Sequence, residues 1–102
     1  MASTYQAIIE PSEGCIASAV NIIGHKWTAL ILRDLFGGPK HFCEIERSIE
    51  KITPRILSQR LADLEKNGIV VNDGPCYELT LKGKDLMPIL QQMAAWGNKY
   101  PS

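Results

Sequence analysis

The sequence of 102 residues lacks most features that mark secreted, membrane-bound or zinc-dependent proteins. It has no apolar run near the roughly 18 residues that a membrane-spanning helix requires. Its first residues, Met-Ala-Ser-Thr-Tyr-Gln, have neither the basic nor the apolar segment of a secretory signal. Only three cysteines and two histidines occur, without a Cys-x-x-Cys, so a structural zinc site is not expected. We expect a cytoplasmic chain with reduced thiols, no membrane contact and no metal.

Motifs of the common catalytic sites are also missing. There is no Gly-rich phosphate loop, no Gly-x-Ser-x-Gly and no paired His and carboxylate motif. A net charge is missing too, because 11 Lys and Arg balance 11 Asp and Glu, which argues against a strong non-specific polyanion binder. We therefore expect neither an enzyme nor a bound cofactor.

The charges that are present lie unevenly along the chain. Residues 51–62 contain three basic side chains and no acidic one, whereas acids cluster before and after this segment. Screening limits the reach of each charge to about 8–10 Å, so this local excess matters more than the neutral sum. The length allows one small core, and a domain of this size gains stability from dimerisation.

The most informative segment is residues 53–68, which predict one helix with a clear start and a clear end. Thr53 is suited to cap the helix, and Pro54 fits the first helical position, where its missing N–H costs nothing. Asn67-Gly68 supplies the left-handed residue that ends many helices.

The two faces of this helix differ in chemistry. Its apolar stripe consists of Leu57, Leu61 and Leu64. At 100° per residue, the opposite side consists of Arg55, Ser58, Gln59, Ala62 and Lys66. Arg and Gln can bind base edges in a major groove, and Ser and Thr can reach phosphates. The segment therefore predicts a recognition helix.

Three further helices are predicted before it. The first follows Ser12 as its cap and should bury Ile16, Val20 and Ile23. The second runs from His25 to Phe36, with Trp27, Leu30, Ile31 and Leu35 inward, and ends at Gly37-Gly38-Pro39. The third runs from Phe42 to Ile49, with Phe42, Ile45 and Ile49 on one side. A tight turn over 50–52 then joins it to the recognition helix, as in a helix-turn-helix.

The period changes after Gly68. Residues 69–71 and 76–81 predict two short strands around the turn residues 72–75, which together form a wing. The predicted fold is therefore mainly α with a small two-stranded β wing, a winged helix-turn-helix.

A last helix is predicted from Leu81 to Tyr100, capped by Thr80 and kinked at Pro88. Its long apolar stripe consists of Leu86, Ile89, Leu90, Met93, Trp96 and Tyr100. A domain this small has little core left to cover such a stripe, so part of it is assigned to a dimer partner. Residues 1–13 are interpreted as an N-terminal arm, and 14–102 as the winged domain with its dimerisation helix.

Several linked segments, together spanning about residues 14–97, resemble the HxlR-type winged-helix transcriptional regulators, which are related to the MarR type. They are Gly14-Cys15-Ile16, residues 23–35, Gly38-Pro39-Lys40-His41-Phe42-Cys43-Glu44-Ile45, residues 57–68, and Tyr77-Glu78-Leu79-Thr80-Leu81-Lys82-Gly83. The chain departs from the family in two places. Ile16 stands where the family often has Pro, and the wing is shorter, with an acid and no base at its tip.

The resemblance implies a homodimeric regulator that binds a pseudo-palindromic operator in double-stranded DNA. Carried over by position, the base-reading residues are Thr53, Pro54, Arg55, Ser58 and Gln59, and the phosphate contacts are Arg60 and Lys26. The family's wing reaches the minor groove, but an acidic tip should repel phosphates.

The sequence leaves open which signal the regulator recognises and whether it has a function other than DNA binding. Cys15 lies in the first turn of a helix, where the dipole favours a thiolate, and some regulators resembling this chain sense oxidants or electrophiles at this position. Cys43 is its candidate partner, and a small buried side chain is the plain alternative. A small-molecule effector at the dimer interface is compatible with this. The competing hypothesis is a winged-helix protein-interaction module without DNA readout.

Overall fold

Helices account for most of the fold, and a small antiparallel sheet completes it. The computed structural model describes residues 13–102, so the Ser12 cap and the arm before residue 13 lie outside the described part. The elements in this part are α1 Glu13–Ile23, α2 Lys26–Leu35, β1 Lys40–His41, α3 Phe42–Ser48, α4 Pro54–Lys66, β2 Val70–Asp73, β3 Cys76–Leu79, α5 Leu81–Lys84 and α6 Met87–Lys99. The predicted mainly helical fold is confirmed.

Helix α2 is the centre of the core, because it contacts α1, α3, α4, α6 and β3. Its Ile31 and Leu32 are fully buried, and Thr28 is buried as well. Leu32 and Thr28 were not on the predicted inward face, because the prediction assumed that other elements cover α2 on one side only. The other buried apolar residues are Ile23, Leu35, Ile45, Ile49, Ile52, Leu57, Leu61, Leu64, Ile69, Val70, Leu79 and Leu86. Full burial of one such side chain contributes about 1.5–3 kcal/mol.

The prediction that α1 buries one whole apolar face is wrong. Ile23 is buried, but Ile16 and Val20 are each 53% exposed. Helices α1 and α2 meet at a bend of 74°, so only the last turn of α1, next to the bend, packs on the core. Within residues 13–102 no single helix is long and apolar enough to cross a membrane; only this bent pair reaches that length and composition.

The wing belongs to a three-stranded sheet with the order β1-β3-β2, whereas two strands were predicted. Strands β2 and β3 pair antiparallel from Val70↔Leu79 to Asp73↔Cys76, so Gly74 and Pro75 alone form the turn. Gly74 has a φ of 65°, which suits the first central position of a tight hairpin turn. The added strand β1 pairs with β3 through two residues for which no strand was predicted.

The predicted continuous helix over 81–100 is also wrong, because it is divided into α5 and α6. Thr80 caps α5 as predicted, its Oγ1 accepting from the Gly83 N–H at 3.1 Å. The same hydroxyl donates toward the Gly68 carbonyl at 2.6 Å, which ties α5 to the end of α4. Pro88 stands in the first turn of α6 and starts a helix where an interior kink was expected.

Candidate nucleic-acid interface

The N-terminal end of α4 is well defined by its cap. Thr53 Oγ1 accepts a hydrogen bond from the Ile56 N–H at 3.1 Å, and Pro54 occupies the first turn, as predicted. The first turn contains no acidic residue, so the partial positive charge of the helix end is not neutralised there. Such an end favours contact with an anion.

The face of α4 that the sequence predicted to be polar is open to solvent. Arg55, Ser58 and Gln59 are exposed, as are the other predicted base-reading residues at the cap. On the opposite side the leucine stripe is almost fully buried, with Leu57 at 0% exposure. The buried stripe fixes the rotation of the helix, so the three polar side chains project away from the core together.

The two arginines of α4 lie in different environments. Arg60 is only 28% exposed in its side chain, and its Nη1 lies 3.6 Å from Asp63 Oδ2. Its Nε is buried without a hydrogen-bond partner in the described part of the chain. Arg55 is exposed and forms no ion pair among residues 13–102. Of the two cations, Arg55 is therefore the one available to a ligand.

Lys26 is not on α4 but is close to the turn that precedes it. It is exposed at the first position of α2, and its Nζ lies 5.1 Å from the centroid of the Trp27 ring. It lines a cleft together with Glu50 and Lys51 of that turn. The histidine before it, His25, caps α2 by accepting from the Trp27 N–H at 3.3 Å.

The wing is short and acidic. Residues 69–79 include Asp73 and Glu78 and no basic side chain. Asp73 is exposed beside the Gly74-Pro75 turn. A phosphate near this tip would meet a like charge, which agrees with the expectation that the tip repels a DNA backbone.

The apolar stripe of the terminal helix divides into covered and uncovered parts. Leu86 is a core residue at 9% exposure, which corrects its assignment to a partner interface, and Leu90 is half-buried against the core. The other four are exposed: Ile89 at 43%, Met93 at 46%, Trp96 at 66% and Tyr100 at 53%. The Trp96 and Tyr100 rings contact each other at 5.3 Å between centroids. An apolar groove of about 390 Å³ separates α6 from α2 beside this face.

The two candidate redox cysteines lie on different helices. Cys15 is exposed in the first turn of α1, as predicted, and Cys43 is exposed near the start of α3. Both thiols therefore lie at the surface of the single chain. Cys76 is half-buried in β3.

A helix-turn-helix formed by α3 and α4, followed by the hairpin β2–β3, defines a winged helix-turn-helix protein. The sequence pattern of the HxlR-like helix-turn-helix family matches residues 22–102, and the chain belongs to this family. Like its relatives, it is a helix-turn-helix transcriptional regulator and not an enzyme.

Named relatives agree with this assignment. The chain is 43% identical to an HTH-type transcriptional regulator of Methanothermobacter thermautotrophicus, over 82% of this chain and 70% of that protein. It is 38% identical to the regulator YodB of Bacillus subtilis, over 81% of this chain and 80% of YodB.

Solved structures show the same fold. The crystal structure of quinone-bound YodB has a TM-score of 0.80 at 38% identity and covers 85% of this chain and 99% of that one. The redox regulator HypR in its reduced form has a TM-score of 0.73 at 34% identity, covering 82% of this chain and 90% of that one.

The sequence did not predict the exposed apolar side of α1, where Ile16 and Val20 remain uncovered. Ile16, Val20 and Ile23 lie on one stripe at i, i+4, i+7, and only Ile22 lies off it, so the spacing gave no signal that most of this stripe would stay uncovered.

Proposed function

We propose that this regulator binds double-stranded DNA sequence-specifically as a homodimer, with α4 as the recognition helix. The observation that carries this proposal is the exposed face of Arg55, Ser58 and Gln59 on a capped helix whose other side is locked into the core. Arg and Gln make bidentate contacts to guanine and adenine, and Thr53, Pro54 and Ser58 lie where they can position the helix in the groove. The phosphate contacts are Lys26 and Arg60. Arg60 makes its contact after its ion pair with Asp63 opens.

The homodimer is supported by apolar surface that one chain leaves uncovered. Met93 and Trp96 on α6, and Ile16 and Val20 on α1, are each about half exposed or more. Exposed apolar side chains on a helix of a small domain mark protein–protein contacts when they form a patch. A two-fold pair places two copies of α4 on one side, and a pseudo-palindromic operator with half-sites about one helical turn apart matches that symmetry.

The test is footprinting on the DNA around the chain's own gene, followed by titration of the protected site at several salt concentrations. DNA binding through phosphates should weaken steeply as salt rises, whereas a protein contact through apolar surface should not. The acidic wing and zero net charge favour the alternative, a winged-helix protein-interaction module. Absence of a footprint, or an affinity that ignores salt, would leave that alternative standing.

A redox response at Cys15 is a second candidate. It is supported by the exposure of this thiol in the first turn of α1 and by two relatives, quinone-bound YodB and the redox regulator HypR. Diamide, which takes two hydrogens from a pair of thiols and leaves a disulfide, should release operator DNA from the wild type but not from Cys15→Ser. Cys43→Ser shows whether Cys43 is the second thiol. Equal release from Cys15→Ser would remove Cys15 from the response.

A further inference from the structure

A cleft of about 390 Å³ lies between α2 and the turn that leads into α4, and the proposed base contacts do not use it. One wall is a face of α2 made by Lys26, Leu30 and Arg33, at the i, i+4, i+7 spacing of one helix side. The other wall is residues 48–51, at the end of α3 and the start of the turn. Since Lys51 precedes the Thr53 cap by two residues, the cleft lies beside the N-terminal end of α4.

The cleft is lined by three cations and one carboxylate. Lys26 and Lys51 are exposed on opposite walls, and neither forms an ion pair in the described part of the chain. Arg33 is 58% exposed, but its Nη2 lies 3.3 Å from the largely buried Asp34 carboxylate, which offsets its charge. Glu50 is the remaining charged group. The two lysines therefore supply the available positive charge, and Glu50 opposes them.

The backbone holds Lys51 in one place. Its φ of 70° is in the left-handed region, which is uncommon for a residue with a side chain. The residues on either side of the turn, Ile49 and Ile52, are buried at 2% and 8% exposure, and the Ile52 N–H donates to the Ile49 carbonyl at 3.4 Å. Both ends of the turn are anchored in the core. These anchors hold Lys51 in its left-handed conformation despite the strain.

We propose that this cleft binds a backbone phosphate of the DNA, with Lys26 and Lys51 contacting it from opposite walls. The inference rests on the proposed function and adds a positioning site to it. When the N-terminal residues of a recognition helix reach base edges, the chain just before that helix comes close to the phosphates that border the groove. Such contacts fix orientation and carry no base preference.

The test uses the full chain with Lys26→Gln and Lys51→Asn combined, since Asn tolerates the left-handed backbone at position 51. Each phosphate that is no longer neutralised lowers the slope of log K against log salt by about 0.9, and the proposed dimer has two such clefts, so the double variant should lose about 2 from the wild-type slope. The loss of affinity should be equal for operator and unrelated DNA. The matched control is Lys84→Gln, whose side chain lines a separate cleft at the other end of α2 and whose slope should stay at the wild-type value.

Glu50→Gln provides a change of the opposite sign. Removing this carboxylate removes repulsion from the phosphate, so DNA affinity should rise while the lysine variants lower it. If the turn had only a structural role, substitutions at Glu50 and Lys51 would not change the DNA affinity in opposite directions. Thermal melting checks that all variants are folded. If the double variant keeps the wild-type salt slope, or if Lys84→Gln loses as much slope as the double variant, the cleft proposal is overturned. The proposed function survives either result as long as the wild type binds DNA. A wild type that binds no DNA overturns both.

Discussion

Arg55 and Arg60 are five residues apart on α4, and the environment of each guanidinium decides which can read a base. Arg60 is largely covered and lies near Asp63, whereas Arg55 is exposed beside the capped end of the helix. An arginine at such an end can donate two parallel hydrogen bonds to one guanine. The difference between the two residues can therefore be measured as a difference in base preference.

We expect Arg55→Ala to weaken operator binding by about 1–3 kcal/mol and to relax the preference at one base position. The measurement is a titration of the protein against operators that each carry one changed base pair. Lys66→Ala, at the far end of the same exposed face, is the control and should keep the full base preference. Unchanged discrimination in Arg55→Ala would mean that α4 is oriented differently in the groove.

A second residue-scale effect concerns acid stability. The His41 N–H donates to Glu44 Oε1 at 2.8 Å, and this hydrogen bond, aided by the nearby charges of His41, Lys40 and Arg47, holds the pKa of Glu44 below its ordinary value of 4.5. A carboxyl group whose pKa is lower in the folded chain stabilises the fold above its unfolded pKa. That stabilisation disappears as pH falls from about 4.5 through the lower folded value.

We therefore expect the stability of Glu44→Gln to fall less steeply than that of the wild type as pH drops below 4.5. Denaturant unfolding at a series of pH values measures this. Glu65→Gln, an exposed carboxyl in the last turn of α4, is the control and should keep the wild-type profile. Parallel profiles for Glu44→Gln and the wild type would show that the cap hydrogen bond does not persist in solution.

At the scale of elements, the joint between α4, the wing and α5 depends on a close approach at Gly83. A Cβ at this position would collide with the Ile69 carbonyl oxygen, which is backbone and cannot easily move. Gly83→Ala should therefore cost about 1–3 kcal/mol of unfolding free energy. Gly97→Ala in α6 meets nothing within 4 Å and should add about 0.5–1 kcal/mol through helix propensity. Equal stabilities of the two variants would contradict this description of the joint.

The sequence was sufficient for α4 because its cap, its end and its leucine stripe are all local signals. The cap, the stripe and the exposed polar face lie where the sequence predicted them. It was insufficient for β1, since two residues carry no strand pattern and pair only because the wing lies beside them. It also misplaced Ile16 and Val20, because the pattern shows that a helix is apolar but does not show which neighbour covers it. It also placed Pro88 inside one helix, whereas Pro88 stands in the first turn of a separate helix.

At the scale of the whole molecule, the prediction concerns the proposed dimer. Met93→Lys places a charge in the exposed apolar face of α6, where a partner chain would have to cover it. We expect this variant to sediment as a monomer and to lose the concentration dependence of its melting temperature. Asn98→Lys adds the same charge on the opposite side of α6 and should remain dimeric. If both variants behave alike, α6 does not form the interface.

Uncovered apolar residues on both α1 and α6 have a consequence for dosage in the cell. If two chains must meet before both copies of α4 can engage the operator, the abundance of the competent species rises with the square of the chain's concentration at low expression. Promoter occupancy then responds more sharply than linearly to synthesis of the regulator. A modest change in its turnover could switch a target gene.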